Sequence, residues 1–113
     1  MEIISETITL VRLREMAERR FGDMVKAVVD VERGIMAVDG ELHADEEELL
    51  LTDGSAQVSL WGINIYPDAG NEGWIEFDSM INLRPSQGNR SRDVEDSQLR
   101  QRIVEIVLRL VAL

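Results

Sequence analysis

Alternating apolar and polar side chains over residues 24–31 constrain the fold of this chain more than any other feature. A period of two is typical of a β-strand that buries one face and exposes the other. Glu32, Arg33 and Gly34 form a predicted hairpin turn, and a return strand follows over residues 35–42. The sequence therefore predicts an antiparallel hairpin here. The inward side chains of its first strand are Val25, Ala27, Val29 and Val31, whereas Lys26 and Asp30 point outward.

A second predicted hairpin lies further along the chain. Residues 60–66 and residues 74–84 both alternate apolar and polar side chains, which predicts two more strands. The loop between them, residues 67–73, is rich in Pro, Asp, Asn and Gly, which favour turns. The core-facing side chains are Trp61, Ile63 and Ile65 in one strand, and Ile75, Phe77, Ile81 and Leu83 in the other.

Two helices are predicted before the second hairpin. Thr9 is a predicted N-cap for a helix to about Arg20, because the apolar residues that follow it recur at spacings of three and four. Asp45, with Glu48 three residues later, predicts a capping box that opens a short helix to about Leu51.

The longest predicted helix lies at the C-terminal end of the sequence. Asp96 or Ser97 caps it, and its broad apolar stripe should pack on the sheet. The order of elements predicts an α+β fold in one domain, residues 1–113. We expect a four-stranded, mainly antiparallel sheet with the N-terminal and C-terminal helices on one face and a short helix between the two hairpins.

Charge and composition exclude several classes of function. The 113 residues include 12 basic and 22 acidic side chains, and the formal net charge is −10. Duplex nucleic acid, itself a polyanion, would be repelled at long range. Cysteine is absent, which excludes disulfides and cysteine-based zinc sites. The sequence shows no signal peptide and no apolar stretch of about 18 residues, so we expect a cytoplasmic protein that does not bind membranes.

The face of the sheet opposite the helices is predicted to be polar. Side chains of several chemical types project there, and their convergence indicates a small-ligand site. The alternative is a solvated face with cross-strand ion pairs, such as Asp78 with Arg84 or Lys26. The residues predicted on this face are Lys26, Asp30, His43, Asn64, Tyr66, Glu76, Asp78, Asn82 and Arg84.

His43 is the only histidine, and it alone changes charge near neutral pH without a large pKa shift. As a general base it needs a carboxylate partner, for which Asp45 and Asp78 are available. The alternative is a structural hydrogen bond at the end of the strand. We take His43 with Asp78 as the candidate catalytic pair, and whether the protein is an enzyme is open at this point.

A loop that is rich in arginine follows the fourth predicted strand. Arg84, Arg90 and Arg92 could hold phosphate or carboxylate with their planar guanidinium groups, and Asn82 and Asn89 could orient the ligand. We therefore expect a small anionic ligand, such as phosphate, a nucleotide or a carboxylate metabolite. The alternative is that the arginines pair with carboxylates of the chain itself, for example Asp93, Glu95 and Asp96.

No metal or cofactor is predicted. The acidic run 45–48 lies on a helix, where neighbouring side chains point about 100° apart and do not converge on an ion. Residues 68–73 faintly resemble a calcium-binding loop, but Gly70 occupies the third position, where a ligand is needed.

A second hypothesis is a non-catalytic interaction module. Leu99, Ile103, Ile106 and Leu110 follow a 4-3-4 spacing, which is compatible with a helix–helix seam in a homodimer. The simpler interpretation, which we favour, is that this stripe is buried against the sheet of its own chain.

Three strings resemble a family of small prokaryotic proteins known only as a domain of unknown function. They are GELHADEE (residues 40–47), LWGINIYP (residues 60–67) and IEFDSMINLRPSQGNRSR (residues 75–92). The resemblance covers nearly the whole chain and implies no activity, cofactor or catalytic residue. The polar residues in these strings are mostly those already selected above: His43, Asp45, Asn64, Tyr66, Asp78, Asn82, Arg84, Asn89 and Arg90.

Overall fold

The computed structural model describes residues 1–69 and 73–112. Gly70, which argued against a calcium-binding loop, and the centre of the predicted loop 67–73 therefore lie outside the described residues. The strands are β1 (Glu2–Ile4), β2 (Ile8–Thr9), β3 (Val25–Asp30), β4 (Ile35–Val38), β5 (Leu60–Ile65), β6 (Ile75–Glu76) and β7 (Val111–Ala112). The α-helices are α1 (Leu10–Arg20), α2 (His43–Thr52) and α3 (Ser97–Leu110).

The main sheet has five strands in the order β1-β4-β3-β5-β6, and all its neighbouring strands are antiparallel. The α+β class and the antiparallel sheet are therefore confirmed. The prediction of four strands is wrong, because β1 pairs with β4 at the sheet edge and buries Ile4. A separate parallel pair joins β2 to β7.

The fourth predicted strand, residues 74–84, is much shorter than expected. Regular pairing ends at Glu76, and a 3-10 turn follows over Met80–Asn82. Ser79 starts this turn because its hydroxyl oxygen accepts from Ile81 N at 3.3 Å. The return strand of the first hairpin also ends early, since Asp39 has a left-handed φ of 66° that leaves the extended conformation.

The helix caps confirm two predictions and correct a third. Thr9 Oγ1 accepts from Arg12 N at 3.1 Å, and Asp96 Oδ1 accepts from Gln98 N at 2.9 Å. The middle helix was predicted to start from an Asp45 cap, but it starts at His43, with Leu42 in the N-cap position. The earlier start places the ring of His43 against the sheet.

The helices cover both faces of the sheet. α1 and α3 pack on the face that carries Ala27 and Val29, as predicted. α2 packs on the opposite face, where Leu50 contacts the cluster that contains Val28 and Leu60. The predicted polar face is therefore half covered by α2. In the part of the chain that the structure describes, no helix is long and apolar enough to cross a membrane.

Candidate functional site

Five polar side chains gather where the start of α2 crosses the sheet; we call them the polar cluster. Lys26 on β3 lies directly opposite Asn64 on β5, and both share the sheet face with Val28, which packs under α2. The α2 residues His43 and Glu46 are three apart and so share one face of that helix. The fifth member, Asp78, accepts a bond from Asn64 through its main-chain oxygen. The cluster is Lys26, His43, Glu46, Asn64 and Asp78.

The His43 ring is fixed in one tautomer by the sheet. Its Nε2 atom lies 2.8 Å from the main-chain oxygen of Ile63, and a carbonyl can only accept, so Nε2 carries the proton. Burial lowers the pKa of His43. The Ile63 carbonyl raises it, Lys26 lowers it, and Asp78 and Asn64 raise it by smaller amounts. The imidazole is therefore neutral at pH 7, with Nδ1 free to accept a hydrogen bond.

Glu46 is fully buried beneath the turn that precedes α2. Its Oε2 accepts from Gly40 N at 2.9 Å, whereas Oε1 has no partner among the described residues. Burial raises the pKa of Glu46 to about 9, so the side chain is a neutral acid at pH 7. Gly40 is needed here, because a Cβ at this position would lie 2.5 Å from Cγ of Glu46.

Asn64 is bonded through only one end of its amide. Nδ2 donates to Glu76 Oε1 at 2.8 Å and to the main-chain oxygen of Asp78 at 3.3 Å. The buried Oδ1 atom has no donor in the described part of the chain. Tyr66 donates its hydroxyl to the same Glu76 oxygen at 3.2 Å, and partial burial and the Glu76 carboxylate raise its pKa.

Lys26 supplies the positive charge of the polar cluster. The side chain is half-buried, and Nζ lies 5.1 Å from the centroid of the Phe21 ring. Among residues 1–69 and 73–112, no carboxylate oxygen lies within 4.0 Å of it. By contrast, the Asp78 side chain at the rim is neutralised by Arg92, whose Nε lies 2.7 Å from Asp78 Oδ1.

Arg84 does not face the polar cluster but braces the edge of β5. Its guanidinium donates to the main-chain oxygens of Gln57, at 2.9 Å, and Leu60, and it lies 3.4 Å from Glu47 Oε2. It also stacks over Trp61, with 4.8 Å between Cζ and the ring centroid. Burial lowers the pKa of Arg84, and Glu47 raises it in part.

Asn82 and Asn89 hold the loop over residues 79–95, which we call the bracing loop. The Asn82 amide pairs with Gly62, accepting from N at 2.8 Å and donating to O at 2.9 Å. Asn89 Nδ2 donates to the main-chain oxygens of Asn82 and Asp93, both at 2.7 Å, and Oδ1 accepts from Glu95 N at 2.9 Å. Both amides are thus fully occupied by the fold.

The three loop arginines do not share a partner. Arg84 contacts the β5 edge and Glu47, and Arg92 contacts Asp78. Arg90 is exposed, and its side chain makes no hydrogen bond or ion pair with the described residues, although its main-chain N donates to Glu95 Oε2 at 3.1 Å. The carboxylates that two of these arginines contact are not those expected from the sequence, because the bracing loop folds toward α2 and β6.

The sequence interpretation missed Glu46 and gave Lys26 no role in binding. Glu46 was assigned to a solvated acidic helix start, because Asp45 was taken as the cap. The spacing of His43, Glu46 and Leu50 is i, i+3 and i+7, which would have indicated a buried face. This buried face is recognisable only if the helix begins at His43, and the sequence gives no capping side chain there.

Two grooves flank α2. One of about 480 Å³ is lined by Arg20, Gly40, Asp45 and Glu48 among others, beside an Asp39 carboxylate that faces Arg20 at 3.3 Å. The other, of about 400 Å³, lies beside Arg84. Within the described ranges, no three His, Asp or Glu side chains are grouped so as to hold a metal ion.

Comparisons with known proteins give one match. A family model described as "Protein of unknown function (DUF5674)" matches residues 2–110. Neither the curated proteins nor the solved structures include a significant match. Because the family model covers nearly all of the 113 residues, the chain belongs to the DUF5674 family.

Proposed function

We propose that the chain binds a small anionic ligand at the polar cluster, with Lys26 as the main charge contact. One observation carries the proposal: Lys26 is half-buried as a residue, and no carboxylate oxygen lies within 4.0 Å of its Nζ among the described residues. Charges that are removed from water are normally paired. A ligand anion would supply the missing partner.

The protonation states around Lys26 favour an anion. His43 and Glu46 are both neutral at pH 7, because burial lowers the pKa of the first and raises that of the second. The Asp78 carboxylate is balanced by Arg92 at the rim. Of the five cluster side chains, Lys26 alone then carries a charge without an ion-pair partner among the described residues, and the Glu76 carboxylate that bonds Asn64 lies at the edge of the cluster. The chain as a whole has a net charge of −10, but charges more than about 10 Å away are screened at physiological salt.

Two unmatched acceptors narrow the class of ligand. His43 Nδ1 is unprotonated when Nε2 donates to Ile63, and no described residue donates to Asn64 Oδ1. A hydroxyl or amino donor beside the anionic group of a ligand would satisfy His43 Nδ1, and it would also satisfy Asn64 Oδ1 if binding makes that buried oxygen accessible. This favours a hydroxy or amino carboxylate, or a phosphate ester, over a bare ion. If such a ligand is a substrate, His43 Nδ1 is the candidate general base.

The bracing loop has an indirect part in this proposal. Asn82, Arg84 and Asn89 shape the loop, whereas Arg92 is exposed enough to swing from Asp78 to a ligand. The proposal therefore keeps the anionic ligand expected from the sequence but moves the principal cation from the loop arginines to Lys26.

A thermal-shift titration with phosphate, sugar phosphates, nucleotides and hydroxy or amino carboxylates tests the proposal. A ligand at 100 times its Kd stabilises the folded state by about 2.7 kcal/mol. We expect a stabilising ligand whose effect is lost in Lys26→Met and retained in Arg90→Ala. Arg90→Ala is the matched control, because the Arg90 side chain is exposed and contacts no described carboxylate within 4.0 Å. Equal binding by Lys26→Met would contradict the proposal, and loss in Arg90→Ala alone would favour the loop arginines.

A second candidate function is protein binding at the groove beside Arg84. Three apolar side chains are unusually exposed there, namely Val58 at 62%, Met80 at 63% and Leu83 at 44%. By contrast, Ile103 and Leu110 of the proposed α3 seam are fully buried in the chain's own core. Sedimentation of the pure protein tests the homodimer version, since a strict monomer would remove it.

A further inference from the structure

Among the described residues, the outer edge of β5 has no strand partner over most of its length. β6 covers only Asn64 and Ile65, and no strand of the described residues pairs with this side of β5 before them. Residues 58–65 read VSLWGINI, with no charge and no proline. Such a segment at a sheet edge is a template for pairing with another chain.

Side chains of the bracing loop occupy this edge instead of a strand. The Asn82 amide bonds both main-chain groups of Gly62, at 2.8 and 2.9 Å. Arg84 bonds the oxygens of Gln57 and Leu60, and Gln87 Nε2 donates to Val58 O at 3.1 Å. Each of these contacts satisfies a main-chain group without offering a new edge to a further strand.

The close fit of the bracing loop on β5 supports a specific role. Asn82 is fully buried, and a Cβ at Gly62 would lie 2.6 Å from the Ser79 side chain. The loop therefore lies directly against the strand. Removing the Asn82 amide or the Arg84 guanidinium would expose the main-chain groups of Gly62 or the Leu60 oxygen at the outer edge of β5.

We propose that Asn82 and Arg84 guard the β5 edge and prevent it from pairing with β5 of a second copy. The second copy is the expected partner because residues 58–65 carry no charge. Two such segments can align antiparallel without like-charge repulsion at the contact, although each chain has a net charge of −10. Gly62 would add no side chain that obstructs the new pair.

The test is the mass in solution of Asn82→Ala and Arg84→Ala across a hundredfold range of concentration, with circular dichroism as the measure of folding. Arg90→Ala is the matched control, since it removes an arginine of the same loop that does not touch β5. We expect the wild type and the control to keep one mass. The two guard variants should at least double their weight-average mass as concentration rises.

A second substitution separates edge pairing from general unfolding. Val58→Lys places a charge beside the edge of both copies, so Arg84→Ala combined with Val58→Lys should return to the wild-type mass. If Asn82→Ala does not fold, the comparison of Arg84→Ala with Arg84→Ala plus Val58→Lys tests the proposal by itself. Arg84→Lys is then the milder change at the same position. Folded guard variants that keep the wild-type mass, or association that Val58→Lys leaves unchanged, would overturn the proposal.

Discussion

The polar cluster and the bracing loop are both rich in partly buried polar groups, but they differ in how completely those groups are bonded. In the loop, both ends of the Asn82 and Asn89 amides have partners. In the cluster, Glu46 and Asn64 each leave one buried oxygen without a partner among residues 1–69 and 73–112. Saturated polar networks stabilise a fold, whereas buried polar groups without a protein partner are where a water or a ligand binds.

This difference points to the polar cluster, and not to the bracing loop, as the candidate site. The loop carries the arginines that the sequence predicts as anion ligands. However, the Arg84 guanidinium already donates to the main-chain oxygens of Gln57 and Leu60. The cluster carries one lysine and one histidine, yet it holds two of the three buried side-chain oxygens that have no partner among the described residues, the third being Asp30 Oδ2. Satisfaction of hydrogen bonds is therefore a better guide to a site here than residue type alone.

The largest predicted effect on stability is in the bracing loop. Asn89→Ala removes three donor bonds to main-chain oxygens and one acceptor for Glu95 N. Leaving such buried groups unpaired should lower the free energy of unfolding by about 3–5 kcal/mol, as measured by urea denaturation. Ser86→Ala, at an exposed position of the same loop, is the control and should stay within about 0.5 kcal/mol of the wild type. A small effect of Asn89→Ala would show that the loop is not a brace.

The next effect concerns the buried acid of the polar cluster. The folded-state pKa of Glu46 is about 9, above its ordinary value of 4.5. The folded protein therefore binds the extra proton, and this contribution to stability declines as pH rises from about 4.5 toward 9. Glu46→Gln keeps the shape and cannot ionise, so its stability relative to the wild type should increase as the pH rises through this window.

Denaturation of both proteins at several pH values measures this slope. Glu48→Gln changes an exposed carboxylate of the same helix and is the matched control. If the free energies of unfolding of the wild type and Glu46→Gln change with pH in parallel, Glu46 is ionised or solvated. An ionised Glu46 would offset the positive charge of Lys26 in the cluster.

The smallest effect concerns the imidazole. Burial and, to a lesser extent, Lys26 lower the pKa of His43 below 6.5. The unfolded chain then binds the proton more readily, so this contribution stabilises the protein above pH 6.5 and is lost as pH falls through that value toward the folded-state pKa. An NMR titration should place the wild-type midpoint below 6.5 and show a higher midpoint in Lys26→Met. An unchanged midpoint would show that the charge of Lys26 does not act on the His43 imidazole.

The sequence predicted the parts of the fold that depend on local signals. The Thr9 and Asp96 caps and the alternation of residues 25–31 define α1, α3 and β3, because each signal lies within a few residues of its effect. The short β6 could not be predicted in this way. Its length is limited by the Asn82 amide, which pairs with Gly62 twenty residues away in the chain.

The candidate site was only partly predictable for the same reason. The polar face and His43 followed from alternation, and the structure places Asn64 and Asp78 beside that histidine. The partners of Arg84 are main-chain oxygens, which no side-chain pattern indicates. Glu46 was hidden because its burial depends on where α2 begins.

The central claim is that the polar cluster binds a small anion through Lys26, and the ring signals of His43 report on it directly. We would titrate the wild type and Lys26→Met with a hydroxy carboxylate, an amino carboxylate and a sugar phosphate while recording the His43 resonances by NMR at constant pH and ionic strength. We predict a saturable shift in the wild type with at least one of these compounds, and none with that compound in Lys26→Met. Unmoved His43 signals with all three, or the same saturable shift in both proteins, would contradict the account.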